Sequence, residues 1–298
     1  MKRSVSALKP LYSGRGDASP DELLKEYIRN GRKPWSPGYD LFRWDFVQRA
    51  LSDTSLLEKF YRCSPLPKGY GEFLDERSVE YPWLFSRLNG IEGKLLDAGS
   101  ILNHSNLINH NALSGKKLFL LTLAPEGNCF WSQGVSYIFS DIRDLPFKDN
   151  FFDIVISIST FEHVGMDNTM IYTSEHKFKE DARRDFVIAA KELRRVLKPG
   201  SKCFITVPFG RFQYDVFQQQ FDSEMVDGLR DAFEPATFTE VYYKYSGGGW
   251  NISTREECIE CKYFNIHKTK YFDKNSALDY DEDFAAAARA IAALELIK

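Results

Sequence analysis

One histidine with acids on both sides opens the chemical inventory. The stretch Thr160-Phe161-Glu162-His163-Val164-Gly165 sets His163 directly after Glu162, with Asp167 close behind. An imidazole titrates near neutrality and suits a general base, while a neighbouring carboxylate can orient the ring or hold a substrate. The structural alternative is that Glu162-His163-Val164 simply closes a loop after a strand. Further polar candidates, Asp97, Gly99 and Asp141, stand at the ends of short apolar runs, where a cap or a turn is the plain alternative. Cys258-Ile259-Glu260-Cys261, with His267 nearby, has the spacing of half a zinc site. A structural zinc needs four ligands and no second pair is present, so reduced cysteines on a helix after Ser253-Thr254 are expected and no metal is assigned. His104 and His110 lie among several Asn, which favours exposure or helix capping. Arg143 and Lys148 read as surface residues, with steering of an anionic substrate as a second reading.

These residues need strands to carry them. From Glu92 onward short apolar runs alternate with helical or loop segments: Lys94–Ala98, Leu118–Leu123, Ser136–Ser140, Asp153–Ile158 and Cys203–Val207. Near-continuous Leu, Ile, Val and Phe is what a parallel strand buried on both faces requires. Asp181–Leu197 reads as an amphipathic helix stopped by Lys198-Pro199-Gly200. Phe221–Phe233 reads as a helix and Thr237–Tyr245 as an aromatic strand. Gly247-Gly248-Gly249 reads as a turn between a strand and a helix, with Trp250 filling core. Toward the end, Asp283-Phe284 and Ala285–Ala288 favour helix, and Ala290–Ile297 suits a last strand. Before Glu92 the texture is helical. Ser19-Pro20-Asp21-Glu22 has the Ser N-cap, N1 proline and N3 glutamate of a capping box, with Asn30-Gly31 as its stop. A second helix is expected over Tyr39–Leu51. The chain thus divides into a helical extension or lid, residues 1–91, expected to help cover the active site, and a sheet domain, residues 92–298.

The 298 residues are 43% hydrophobic and include 24 Phe, 15 Tyr and 5 Trp, enough for a sizeable core and against disorder. Lys and Arg total 39 against 42 Asp and Glu, leaving no basic excess for a nucleic-acid backbone. Met1–Tyr12 has Lys2 and Arg3 but no apolar core behind them, so no secretory signal is expected. The longest apolar runs are too short to span a bilayer. A cytoplasmic protein without a membrane partner follows.

Four ordered stretches resemble the class I S-adenosylmethionine-dependent methyltransferases, in the small-molecule, methyltransferase type 11-like branch. They are Leu95–Ser100, Asp141–Phe147, Phe152–Ser157 through Glu162-His163-Val164, and Glu192–Gly200. The resemblance implies an α/β, Rossmann-like fold, a mainly parallel seven-stranded sheet flanked by helices, with S-adenosylmethionine at the strand tips where strand order reverses. It implies that Asp97, Gly99, Ser100 and Asn103 face the methionine end of the cofactor, that Thr122 stands at the ribose position, and that Asp141 and the Ile142 amide face adenine. Ser159 to His163 would then lie nearest the sulfonium and the acceptor. The family's first loop carries three glycines and this one keeps only Gly99. The acid usual at the end of strand two is replaced by Thr122, so either Glu126 or an amide such as Asn103 substitutes, or cofactor binding is weak. The expected activity is methyl transfer to a small polar acceptor, more readily a hydroxyl of a sugar, glycan precursor or secondary metabolite, with His163, Glu162 and Asp167 at the reacting end. The alternative is a methyltransferase-like binding module whose cofactor space is filled by Ile101, Leu102 and Thr122.

Overall fold

A computed structural model describes residues 19–270 and 272–298. The segment Met1–Tyr12, read above as no leader, lies outside them. Four helices come first: α1 (Pro20–Arg29), α2 (Tyr39–Ser52), α3 (Thr54–Tyr61) and α4 (Arg77–Leu88). The capping box forms as expected: the Glu22 amide donates to Ser19 Oγ and the Glu22 carboxylate accepts from the Ser19 amide. Asn30 caps the other end, and Gly31 follows in the left-handed region at φ +81°.

The remaining chain runs β1 (Gly93–Ala98), α5 (Ser105–Ile108), β2 (Lys116–Thr122), β3 (Ser136–Phe139), β4 (Phe152–Ile158), α6 (Phe186–Val196), β5 (Leu197–Pro208), β6 (Gln213–Asp215), β7 (Gln218–Gln220), α7 (Ser223–Phe233), β8 (Thr237–Ser246), β9 (Gly249–Ser253), α8 (Arg255–Cys258) and β10 (Ala290–Ile297). One sheet has the order β3-β2-β1-β4-β5-β10-β8-β9. Strands β1 to β5 pair in parallel, while β10 is antiparallel to both neighbours. The seven strands expected are all present, and β9 adds an eighth at the edge.

Two segments differ from expectation. The glycine-rich turn joins β8 to β9 as a hairpin rather than leading to a helix, although Trp250 is buried as expected and donates through Nε1 to the Leu74 carbonyl at 3.0 Å. Residues 283–288 are not helical. Phe284 and Ala287 have positive φ, and Arg289 Nη1 donates to the carbonyls of Ala285 and Ala287 at 2.8 and 3.2 Å. An arginine thus takes carbonyls that a helix would have used, and packing overrides the helix preference of alanine.

Side-chain alternation divides the core into two layers. Leu95, Ile154, Ile156, Phe204, Tyr243 and Ile291 face a cluster built with Val47, Phe60, Trp83 and Phe85 of α2, α3 and α4. Leu96, Val155, Ile205, Val207 and Leu294 face the opposite cluster, closed by Ala189 and Leu193 of α6 and by Val226 and Leu229 of α7. The sheet is therefore covered on both sides, and the extension before Glu92 supplies one of the covers. Truncating Phe85, which is fully buried, would cost about 3–5 kcal/mol. This tie matters for the site, because α4 begins beside the tip of β4.

Among the described residues no helix is long and apolar enough to cross a membrane.

Candidate functional site

Strand order reverses between β1 and β4, and their carboxyl ends border a crevice of about 620 Å³ when the space open to solvent is counted. Gly99, Ser100, Thr122, Asp141, Ile142, Ser159 and His163 all line it. Two backbone devices shape its mouth. Gly99 has φ +132°, and a Cβ built there would lie 1.9 Å from Thr160 Oγ1, so no other residue permits this approach of the two strand tips. Ser159 has φ +45°, a strained setting held by its amide on the carbonyl and hydroxyl oxygens of Thr206 and by its Oγ on Glu80 Oε1 at 3.0 Å.

Asp97 lies beneath the first loop with no exposure. Its Oδ2 accepts the Leu102 amide at 2.7 Å and its Oδ1 is buried with no partner. Burial without charge compensation raises its pKa to about 7. Asn103 does not line the crevice. It donates to Glu126 at 2.7 Å, accepts from the Tyr137 hydroxyl at 2.8 Å, and its carbonyl takes Asn128 Nδ2. Ser100 Oγ also donates to Glu126. Of the two substitutes considered for the missing acid at strand two, Glu126 is therefore the one that reaches the first loop, and Asn103 braces it.

At the tip of β3, Asp141 lines the crevice but is already engaged. Its Oδ1 accepts the Arg143 amide at 2.8 Å and both oxygens accept from the Arg143 guanidinium. The same guanidinium binds Glu180 at 2.8 Å and Asp185 at 2.7 Å. Arg143 is thus no surface or steering residue; three carboxylates enclose it, and they hold its pKa far above the usual guanidinium range. Its partners are spread across a 45-residue span, too scattered to be read as a cluster.

The residues after β4 separate by role. His163 lies half-buried on the crevice, and its Nδ1 meets the Phe217 carbonyl at 2.8 Å. A carbonyl only accepts, so Nδ1 carries the proton and Nε2 keeps its lone pair. Burial, reinforced by the Arg77 and His267 charges, lowers the ring to about 4, which keeps it neutral at physiological pH. Asp167 does not orient it. That carboxylate caps its own turn, accepting from the amide and hydroxyl of Thr169, and the orientation expected from an acid comes from Phe217 instead. Glu162 is 5% exposed, its Oε2 has no partner, and burial raises its pKa to about 8.

Sequence reading missed a group on α4. Glu80 is fully buried, pairs with Arg77 and accepts from Thr206 Oγ1 at 2.6 Å as well as from Ser159. The Arg77/Glu80 spacing of three is common on exposed helix faces, and nothing local signals burial. His104 and His110 are caps, accepting from the amides of Asn106 and Ala112. Cys258 is buried and Cys261 partly so, both as free thiols, and among the described residues no three His, Cys, Asp or Glu side chains gather as a metal site.

The residues present fit S-adenosylmethionine. The crevice is open: Leu102 is fully buried in the core and Ile101 packs against it, so of the three side chains that could have plugged it only Thr122 reaches its wall. Residues 120–205, from β2 into β5, match the family described as a methyltransferase domain. The match covers under a third of the chain, and the sheet order around it is the Rossmann-like one that the resemblance implied. The cofactor is S-adenosylmethionine. No curated protein matches the chain. Similar solved structures include the YcgJ protein of Bacillus subtilis (13% identity, 72% of this chain and 96% of that one, TM-score 0.41). An S-adenosylmethionine-dependent methyltransferase of Thermotoga maritima gives 15%, 86%, 100% and 0.39. One from Methanosarcina mazei gives 11%, 72%, 96% and 0.40.

Proposed function

We propose that this protein transfers a methyl group from S-adenosylmethionine to a hydroxyl of a small polar acceptor, a sugar, glycan precursor or related metabolite, in the cytoplasm. The observation that carries the acceptor chemistry is the fixed tautomer of His163. A sulfonium-bound methyl is already activated, so the protein's work is alignment of the acceptor, exclusion of water and removal of the hydroxyl proton. A neutral imidazole on the crevice wall, its Nδ1–H held by the Phe217 carbonyl, leaves Nε2 as the nitrogen whose lone pair can take the last task. Asp97, with its unpartnered Oδ1 under the first loop, suits the ammonium of the methionine end; Gly99 and Ser100 admit it closely. Ile142 and Asp141 line the position expected for adenine, with Thr122 and Glu126 toward the ribose.

Titration with S-adenosylhomocysteine tests the cofactor half of this reading: saturable binding is expected, and none at millimolar ligand removes it. His163→Gln tests the other half. Turnover should fall by about 10²–10⁴-fold with homocysteine-nucleoside affinity unchanged. Equal loss of both would make the ring a packing residue. The binding-module alternative requires a filled crevice, and the open one favours the enzyme.

A further inference from the structure

Ser159 lines the crevice at the tip of β4 with φ +45°, a backbone setting that side chains other than hydrogen rarely adopt. Such a conformation persists only where its surroundings dictate it. The contacts that dictate this one come from outside the crevice. The Ser159 amide donates to the Thr206 carbonyl and to Thr206 Oγ1, both at 3.1 Å. Ser159 Oγ donates to Glu80 Oε1 at 3.0 Å, and Thr206 Oγ1 donates to the same oxygen at 2.6 Å. Glu80 is thus the common acceptor of both hydroxyls. Its other oxygen is bound by Arg77, so the carboxylate is fixed from two sides. Glu80 and Thr206 are fully buried, and neither lines the crevice.

We propose that Glu80 is a positioning residue for the cofactor crevice, acting through Ser159 on a wall that it does not itself touch. The geometric consequence reaches across to β1. The next residue, Thr160, sets its Oγ1 where a Cβ on Gly99 would fall, so the turn at Ser159 fixes how closely the tips of β1 and β4 approach. A carboxylate suits this place because two hydroxyls and a guanidinium converge on it, all of them donors. Bonds from a hydroxyl to an ionised oxygen are shorter and about twice as strong as neutral ones, which is what holding a strained residue requires. The inference rests on the methyl-transfer reading for the ligand concerned. It gives the helical extension a second part: α4 covers the sheet and also delivers a buried acceptor to the strand tips.

Titration of the full chain with S-adenosylhomocysteine, beside urea unfolding, separates positioning from plain stabilisation. Glu80→Met keeps the side-chain length and removes the acceptor; it should weaken binding at least about tenfold. Glu80→Gln keeps one acceptor oxygen and should recover part of that loss. Thr206→Val, which keeps the side-chain shape, should weaken binding alone and add little to Glu80→Met, because both act through Ser159. Val79→Ala, a buried neighbour on α4, should lower stability and leave affinity unchanged. Unchanged affinity in Glu80→Met, or an equal loss in Val79→Ala, overturns the proposal; should Glu80→Met fail to fold, Glu80→Gln and Thr206→Val carry the same comparison. Amide exchange followed by NMR supplies a readout without ligand: the Ser159 amide should exchange faster in the Glu80 variants, by more than the Ile156 amide does. If the wild type binds no S-adenosylhomocysteine, the methyl-transfer reading falls and exchange decides alone. A Ser159 amide that changes only in step with Ile156 overturns the positioning role.

Discussion

The loops past β3 and past β4 handle their carboxylates in opposite ways. Past β3, Asp141, Glu180 and Asp185 converge on Arg143 and all three are paired. Past β4, Glu162 keeps an oxygen with no partner. Leaving a buried polar group unpaired costs about 1–3 kcal/mol, more when it is charged, so the second arrangement persists against a penalty that the first avoids. The contrast separates a closed network from an open one. A network closed on itself fixes the shape of the loop that carries Asp141 and Ile142, whereas the turn after β4 keeps a buried acceptor unfilled.

The sharpest way to break the comparison is at Gly99, which lets β1 approach Thr160 in the turn after β4. Gly99→Ala drives a Cβ into Thr160 Oγ1 and imposes a left-handed φ on alanine. Backbone strain alone is about 1–3 kcal/mol, and the clash adds to it. S-adenosylhomocysteine binding should be lost and the melting temperature should fall. Gly247→Ala is the control, since that position has open space around it and should change neither quantity. Unchanged binding in Gly99→Ala would mean that the strand tips can part without harm.

Arg143 tests the closed network. Arg143→Ala leaves three carboxylates facing one another, each a fifth to a third exposed. The expected loss is about 2–3 kcal/mol of unfolding free energy in urea, less than for a fully buried pair because water reaches the oxygens. Arg143→Lys should restore little, since an ammonium cannot form the forked contacts. If Asp141 also serves adenine, Asp141→Asn should weaken S-adenosylhomocysteine roughly tenfold. A change in stability with no change in affinity would confine Asp141 to the clamp.

The elements of the fold were more legible in the sequence than the contacts at the strand tips, for a physical reason. Strand runs such as Leu118–Leu121 and Ile154–Ile158 announce double burial by composition, and the Ser19/Glu22 box is a local hydrogen-bond pattern. Both depend on neighbours along the chain. The Arg143 clamp and the Glu80, Ser159 and Thr206 group depend on residues brought together from distant segments, and a charged residue looks the same in sequence whether solvated or buried. His163 was found because it follows a strand, but its orienting partner was not: a backbone carbonyl carries no residue-type signal, so the acids Glu162 and Asp167 drew the assignment instead. Ala285–Ala288 misled in the opposite sense, because helix preference is a local quantity and Arg289 had already claimed the carbonyls.

The smallest effect follows from the open network and has a definite sign. Glu162 titrates near 4.5 when exposed and at about 8 when folded, so the folded protein holds its proton more tightly than the unfolded chain does. The stability linked to this group is fully present below about pH 4.5 and is lost as pH rises through 8, at about 1.4 kcal/mol for each pH unit between those limits. Asp97 and Glu76, also raised by burial, act in the same direction in wild type and variant alike. The difference between the two proteins therefore isolates Glu162. Glu162→Gln has no proton to lose, and between pH 6 and 7 its unfolding free energy should fall by about 1.4 kcal/mol less than that of the wild type. Parallel urea curves across that interval would show that Glu162 is already paired in solution, and the distinction between a closed and an open network would vanish with them.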